Sequence, residues 1–419
     1  MVNATTESSK GNTMKTKYTF HLLGLAHLPT SKNYLSCAFT QKNIKLSKML
    51  CDLGHTVYLY GARGTDRLED YVKSNDFHFI ETHTVEDIAK DYGDGDNRFE
   101  LGYNWKKQDF RHDMNAEYKK SSTLKLYGNA IAIINKIKQP DDFLLATQGQ
   151  YHKPIADATG LFLTCESGIG YRGTCKSMYR CFESPYIQNF SYGSDNPYAS
   201  MNGSYYDRVI PNYFDPNDIK FSDKKGDYYL FIGRLIKRKG ILTAYEACKA
   251  IGKKLIIVGQ GGFVDTDGSL RDNDPMEFRI PKDSDWEYRG YADLETRKEL
   301  MAHAIATFTP TEYLECFAGT HVESMLSGTP PITTDFAVFP HTIPDVLNGK
   351  VGFRCNTLQD FVDAAKSATT CDPDFIREYA ERFLMDNVAK QYQKWFDDLH
   401  NVWESAVDPN KRGWSRVSL

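Results

Sequence analysis

The sequence predicts an α/β protein: two parallel-sheet domains in tandem, facing each other across a cleft, with a last helix crossing back to the first. Three observations predict it. The chain of 419 residues exceeds what one hydrophobic core ordinarily holds. Apolar strand-like runs alternate with stretches of helical period twice over, and a Pro-, Asn- and Asp-rich break divides the two series. The tail "DPDFIREYAERFLMDNVAKQYQKWFDDLHNVWESA" reads as helical, with Phe383, Leu384, Val388, Tyr392 and Trp395 on one apolar face.

The elements follow in order. Tyr18 to about Leu23 is a strand, and a loop opens at Gly24. Ile44, Leu46, Met49, Leu50 and Leu53 recur near helical period, Gly54 stops that helix, and "TVYLYG" is the next strand. Residues 64–122 are polar and Asp-rich, with no period that orders them. Trp105, Lys106, Lys107, Arg111 and His112 in that insert read either as a solvated surface excursion or as part of an acceptor-binding side. A helix ended by Pro140 and the buried strand "FLLAT" resume the pattern. "HKPIADATGLFLTCESGIG" repeats it, with Pro154 tolerated at a helix start. From Tyr192 to Gly226 the rhythm breaks around the short strand and turn residues of "DRVIPNYFDPNDIKFSDKKGD", the expected linker. Strand "YYLFIG", helix "GILTAYEACKAIG", strands "KKLIIVG" and "WEYRGYA", and helix "DLETRKELMAHA" begin the second series. Strand "IATFTPT", a helix around Glu323 and strand "TPPITTD" complete it. The expected boundaries are a leader at 1–13, a first domain at 14–215, a second at 226–390, and a returning helix and tail at 391–419.

Composition narrows the classes. Hydrophobic residues at 41% and charged residues at 25% describe a soluble globular protein. A net charge of −4 and a pI near 6.3 give no general attraction to nucleic acid. Nine cysteines without a CxxC pair, Cys165, Cys175 and Cys181 being the nearest group, lack zinc spacing and read as reduced, buried thiols of the cytoplasm. Residues 1–13 are polar with no apolar core, so they read as a leader and not a signal peptide. No run approaches the roughly 18 apolar residues of a membrane span; peripheral contact with a membrane stays open, as does oligomeric state.

Three segments carry chemistry. In "FIGRLIKRKG", Gly233 follows a strand and the cations Arg234 and Lys239 flank a helix start, which suits a diphosphate; a solvated basic loop is the plainer alternative. In "LIIVGQGG", Gly259 and Gly261 end a strand where glycine lets a ligand come close to the backbone. In "TEYLECFAGTHVESMLSGTPPITTD", Thr309 and Thr311 reach the sheet edge, Glu315 sits in the loop, and Glu323 lies eight residues on in the helix. The two glutamates suit sugar hydroxyls, or else Glu315 caps the helix and Glu323 is a half-exposed helix residue.

Together these segments resemble the carboxyl domain of the retaining glycosyltransferases with two Rossmann-like domains, the GT-B architecture, and family 4 in particular. The shared pattern is Gly233-Arg234 with Lys239, Gly259-Gln260-Gly261, Glu315 to Glu323, and Ser327-Gly328-Thr329-Pro330. "VIPNYFDP" at 209–216 and "KMLCDLGHTVYLYG" resemble further family segments, so the likeness spans roughly 18–400 and is strongest over 208–355. The resemblance implies that Arg234 and Lys239 stabilise a leaving nucleoside diphosphate. It implies that Glu323 grips the donor ribose, and that Glu315 with the backbone of Cys316, Phe317 and Ala318 holds the donor sugar and phosphate. Gly24, Gly233, Gly259 and Gly261 count with the donor-binding residues. No metal or cofactor is implied; a UDP- or GDP-linked sugar is the co-substrate. The family often carries a histidine after a first-domain strand, whereas "LFLTCESGIGY" offers Glu166; His152, after the preceding strand, is the other candidate for a catalytic part. "DFAVFPHTI", with Phe339, Pro340 and His341, also departs from a glycine-rich turn.

D-x-D pairs at Asp94/Asp96, Asp265/Asp267, Asp272/Asp274 and Asp283/Asp285 could hold a metal in another transferase architecture, but their contexts read as solvated turns. The expected activity is transfer of a sugar from a nucleotide donor, bound by the second domain, to a glycan, lipid-linked, small-molecule or nucleobase hydroxyl held by the first. The alternatives are a nucleotide-sugar epimerase and a degenerate nucleotide-sugar-binding module.

Overall fold

A computed structural model describes residues 17–35, 37–92, 118–175, 177, 179–195, 205–272 and 278–408. The leader and the aromatic and basic residues at 105–112 lie outside the described residues, as do Asp94, Asp96 and Asp274.

The first sheet contains β1 (Thr19–Leu23), β2 (Thr56–Gly61), β3 (Phe77–Glu81), β4 (Phe143–Ala146), β5 (Leu163–Ile169), β6 (Tyr179–Phe182) and β7 (Arg208–Val209), all parallel, in the order β3-β2-β1-β4-β5-β6-β7. The second contains β8 (Tyr228–Ile232), β9 (Lys254–Val258), β13 (Trp286–Tyr288), β14 (Thr307–Thr309), β15 (Pro331–Thr334) and β16 (Phe353–Cys355), also parallel, in the order β13-β9-β8-β14-β15-β16. Strands such as "FLLA" and "LIIV" are almost continuously apolar because helices cover both faces of a parallel sheet. In each sheet the chain order reverses about the first strand, β1 or β8. Open parallel sheets bind ligands beyond the carboxyl ends of the strands at that reversal.

The insert at 64–122 is more regular than its composition predicts. Helices Leu68–Val72 and Val85–Tyr92 bracket β3, an edge strand whose burial alternates only weakly, so it carries little periodic signal. Likewise β6 and most of the helix Pro185–Asp195 precede the break at Tyr192, in a stretch for which the sequence predicts no element. A three-stranded antiparallel sheet of β10 (Gly262–Val264), β11 (Leu270–Asp272) and β12 (Arg279–Ile280) holds the Asp265/Asp267 pair and Asp272. There Arg271 pairs with Asp265 at 3.0 Å, and Arg279 and the Ser269 hydroxyl and N–H engage Asp267. Among the described residues no group of His, Cys, Asp and Glu is arranged for a metal ion.

The tail is not one helix. Helix Pro373–Ala380 and a 3₁₀ turn at Glu381–Phe383 end at Leu384, whose extended backbone (φ −66°, ψ 148°) starts a new helix, Met385–Val407. The apolar face expected of one helix is therefore split. Phe383 packs with Phe214, Phe317 and Ile376 in the second domain. Val388, Tyr392, Trp395 and Phe396 complete the core beneath the first sheet, with Phe20 and Phe143. At the crossing the Phe214 N–H donates to the Phe383 carbonyl and the Met385 N–H to the Phe214 carbonyl, both at 3.0 Å. The two chain segments that pass between the domains thus pair with each other. All nine cysteines are free thiols, seven of them buried. No described helix is long and apolar enough to cross a membrane.

Candidate active site

The loops after β8 and β14 flank the reversal of the second sheet, and both carry residues singled out by sequence. After β8, Gly233 and Arg234 lead to a 3₁₀ turn, Lys237–Lys239, before the helix Ile241–Ala250. Gly240 joins the two with φ 76°, and a Cβ there would lie 2.0 Å from the Pro310 carbonyl oxygen, so the β8 and β14 loops can approach only with glycine.

That approach brings Lys239 Nζ to 2.7 Å from Glu315 Oε2. Burial pulls the Lys239 pKa down, but Glu315 and Tyr313 outweigh it and the net shift is upward, so the ammonium stays charged. The Tyr313 ring lies 5.0 Å from Lys239 Nζ and 4.9 Å from the Arg238 guanidinium. Arg234 is half-exposed on the same loop.

The segment Glu315–Ala318 is clamped residue by residue. Lys239 holds the Glu315 carboxylate, and the Ser184 hydroxyl, from the first domain, donates to the Cys316 carbonyl at 2.6 Å. The Phe317 ring is buried against Phe214 and Phe383, with centroids at 6.3 Å and 5.7 Å. The Ala318 carbonyl accepts from His321 Nδ1, while His321 Nε2 accepts from the Thr342 hydroxyl at 2.7 Å. Burial pushes the His321 pKa down to about 4, keeping the ring neutral for this role. Ala318 itself is left-handed (φ 61°, ψ 63°), costly for a residue with a Cβ, and precedes the helix Gly319–Leu326. Glu323, in the second turn, receives Arg297 at 2.6 Å from the helix Leu294–His303. Glu315 and Glu323 therefore answer to different cations and share no partner.

The glycines divide by role. Gly259 (φ 146°) is demanded by the fold, because a Cβ would lie 1.7 Å from the Gly233 carbonyl oxygen. Gly261 follows with φ 94°. Gly233 faces open space, with no atom of the described residues beyond its chain neighbours within 4 Å of where a Cβ would stand. Gly24 ends β1, its N–H donating to the Tyr60 carbonyl at 2.7 Å.

In the first domain the two sequence candidates are enclosed. His152 accepts from the Thr147 N–H at 3.0 Å through Nδ1 and meets the Gly24 carbonyl at 3.0 Å through Nε2. It is fully buried, with its pKa lowered to about 4, and both ring nitrogens brace the loops after β1 and β4. Glu166 points from β5 into a sealed niche, receiving the Tyr171 hydroxyl and the Cys175 N–H, each at 2.9 Å. Burial raises its pKa to about 7.

Sequence reasoning missed a second lysine–glutamate pair. Lys42, on the helix Ala38–Asp52, reaches the Glu183 carboxylate just after β6 and donates to the Gly168 carbonyl at 2.8 Å. The only available signal was an acid at the end of the unassigned strand "YRCF". Ser184, next in sequence, is the residue that grips Cys316. The Cys316 thiol, raised to about 12 first by burial, also feels Glu183 and Glu315 raising it and Lys42 and Lys239 lowering it, so both pairs lie around one point of the interface.

Residues 215–383 match the family profile of glycosyl transferases group 1. None of the curated proteins matches the sequence. Among solved structures, a sucrose-phosphate synthase from Thermosynechococcus elongatus superposes with a TM-score of 0.61 at 14% identity, over 91% of this chain and 99% of that one. AviGT4, a glycosyltransferase involved in avilamycin A biosynthesis, gives 0.59 at 16%, over 91% and 98%. HepE of Anabaena, in complex with UDP and glucose, gives 0.57 at 13%, over 90% and 98%. The chain thus has the GT-B fold of two Rossmann-like domains, its second domain is a glycosyl transferases group 1 domain, and the protein is a glycosyltransferase.

Proposed function

We propose that the protein is a retaining, metal-independent glycosyltransferase of the family 4 type, working in the cytoplasm on a UDP- or GDP-linked sugar. The clamped segment Glu315–Ala318 beside Lys239 carries this reading: a carboxylate, a cation and a strained helix start are fixed at one edge of the sheet reversal. Arg234 and Lys239 take the charge that develops on the diphosphate as the sugar C1–oxygen bond breaks, an interaction strongest in the transition state. The backbone of Cys316, Phe317 and Ala318 cradles sugar and phosphate, with Glu315 on a sugar hydroxyl. Glu323, oriented by Arg297, takes the ribose. Open space beside Gly233 gives the diphosphate its approach. That HepE binds UDP and glucose on the same fold supports the donor class. An acceptor hydroxyl attacks the face the diphosphate leaves, and its proton passes to the departing phosphate oxygen. His152 and Glu166 brace loops and take no part in the chemistry.

The test is a thermal-shift screen of UDP-, GDP-, ADP- and TDP-linked sugars, repeated on Arg234→Ala and Lys239→Ala. One nucleotide class should raise the melting temperature of the wild type and fail to do so in both variants. Transfer that survives both substitutions would refute the diphosphate assignment. Release of an epimerised sugar without acceptor would point to the epimerase instead.

A further inference from the structure

On the first-domain wall expected to hold the acceptor, we infer that Glu183 is the residue that receives the attacking hydroxyl and that Lys42 positions Glu183. The inference rests on the glycosyl-transfer reading above and assigns the half of the reaction that reading leaves open.

Four observations carry it. First, Lys42 and Glu183 form an ion pair whose side chains are only 15% and 5% exposed, beside the interdomain contact. Removing two charges from water costs several kcal/mol that pairing alone seldom repays, so such a pair is weak evidence for a stabilising role. Second, Lys42 occupies one carboxylate oxygen, Oε1, and among the described residues Oε2 accepts no hydrogen bond. Third, the backbone at Gly170 packs against that carboxylate without covering it with a side chain, since a Cβ there would stand 2.3 Å from Oε2. Fourth, the neighbouring Ser184 grips the Cys316 carbonyl, so Glu183 is tied to the segment proposed to hold the donor sugar.

The surroundings indicate what the subsite takes. The charges of Lys42 and Glu183 offset each other, so the floor draws hydroxyls and not an ion. The Phe39 and Tyr171 rings lie beside it with centroids 5.5 Å apart, and Phe39 is 5.1 Å from Lys42 Nζ. Ring faces next to a hydrogen-bonding carboxylate suit an uncharged polyhydroxylated acceptor, its C–H faces on the rings and one hydroxyl on Oε2. In the transfer the acceptor oxygen bonds to C1 as the C1–phosphate bond breaks. Glu183 only accepts the hydroxyl's hydrogen bond, and the proton ends on the departing diphosphate.

The experiment uses the full chain with UDP-glucose, or GDP-mannose if only guanosine nucleotides stabilise it, and water or free glucose as probe acceptors. Glu183→Gln should keep the donor-induced rise in melting temperature while nucleotide release falls at least about 30-fold in kcat with donor KM unchanged. Phe39→Ala, at the half-buried rim, should raise the glucose KM several-fold, which supplies a readout if Glu183→Gln folds poorly. Donor stabilisation with wild-type release rates in Glu183→Gln, or an unchanged glucose KM in Phe39→Ala, would overturn the acceptor inference alone. A wild type that neither gains stability from any donor nor releases nucleotide would overturn the donor reading, and this inference with it.

Discussion

Two lysine–glutamate pairs, one in each domain, face the same interdomain contact but are very differently written in the chain. Lys239 and Glu315 lie 76 residues apart, inside segments whose spacing already marks them; Lys42 and Glu183 lie 141 apart, in segments without any motif. The second-domain pair belongs to a rigid loop set, where Gly240 lets two strand ends touch and four consecutive residues are clamped. The first-domain pair depends on a helix meeting a strand end across the sheet. The difference teaches that the proposed donor site is carried by local loops, whereas the opposing wall is assembled from distant elements.

The sharpest way to break this comparison is Lys239→Ala. It strips a preorganised cation from the site and leaves Glu315 without its partner, so transfer should fall about 100- to 1,000-fold. Single-turnover rates at saturating donor test this, and a loss confined to KM would contradict it.

Glu166 contrasts with Glu183 in the first domain, because its carboxyl is held by Tyr171 and Cys175 and not by a cation. Burial lifts its pKa from the ordinary 4.5 to about 7, so the folded state holds the proton more tightly than the unfolded one. Its contribution is present below about pH 4.5 and is lost as pH rises through about 7, at most about 3 kcal/mol. Buried His152 acts in the opposite sense: its pKa falls from 6.5 to about 4, so its contribution is present above about pH 6.5 and fades as pH falls toward 4. Chemical denaturation of Glu166→Gln from pH 5 to 8 should show that the part of wild-type stability declining with pH has gone. An unchanged pH profile would count against the sealed-niche account.

Ser184→Ala cuts the hydrogen bond by which one wall holds the other. One neutral hydrogen bond is worth about 1 kcal/mol, so donor affinity should weaken about fivefold, measurable by calorimetric titration. No change would mean that the Cys316 segment is held by its own domain alone.

The smallest effect is expected at Ala318. Glycine removes the left-handed penalty while adding chain entropy, so Ala318→Gly should stabilise by about 0.5–1 kcal/mol, read as a higher midpoint in urea. A lower midpoint would show that the helix start needs its methyl group.

Much of this architecture was legible before any coordinates. Buried runs such as "FLLA", "LIIV" and "YYLFI" have too little polar alternation to be anything but interior strands, and the Arg234, Lys239, Glu315, Glu323 set stood out by order and spacing. Less visible were β3, β6, β16 and the small sheet at 262–280, because strands of two to five residues give no reliable period. The break at Leu384 was hidden for a different reason. Its apolar spacing continues the helical pattern, and only pairing with Phe214 turns the backbone extended there.

The sequence by itself determined two parallel α/β sheets and the cluster of cations, glycines and acids after β8, β9 and β14, because period and loop chemistry are local properties. The tertiary structure alone decided which partner each charge meets: Glu315 with Lys239, Glu323 with Arg297, Glu183 with Lys42. It also decided that His152 and Glu166 are enclosed, while one Glu183 oxygen accepts no hydrogen bond from the described residues. Burial and pairing depend on which distant elements pack together, and residue spacing along the chain does not encode that.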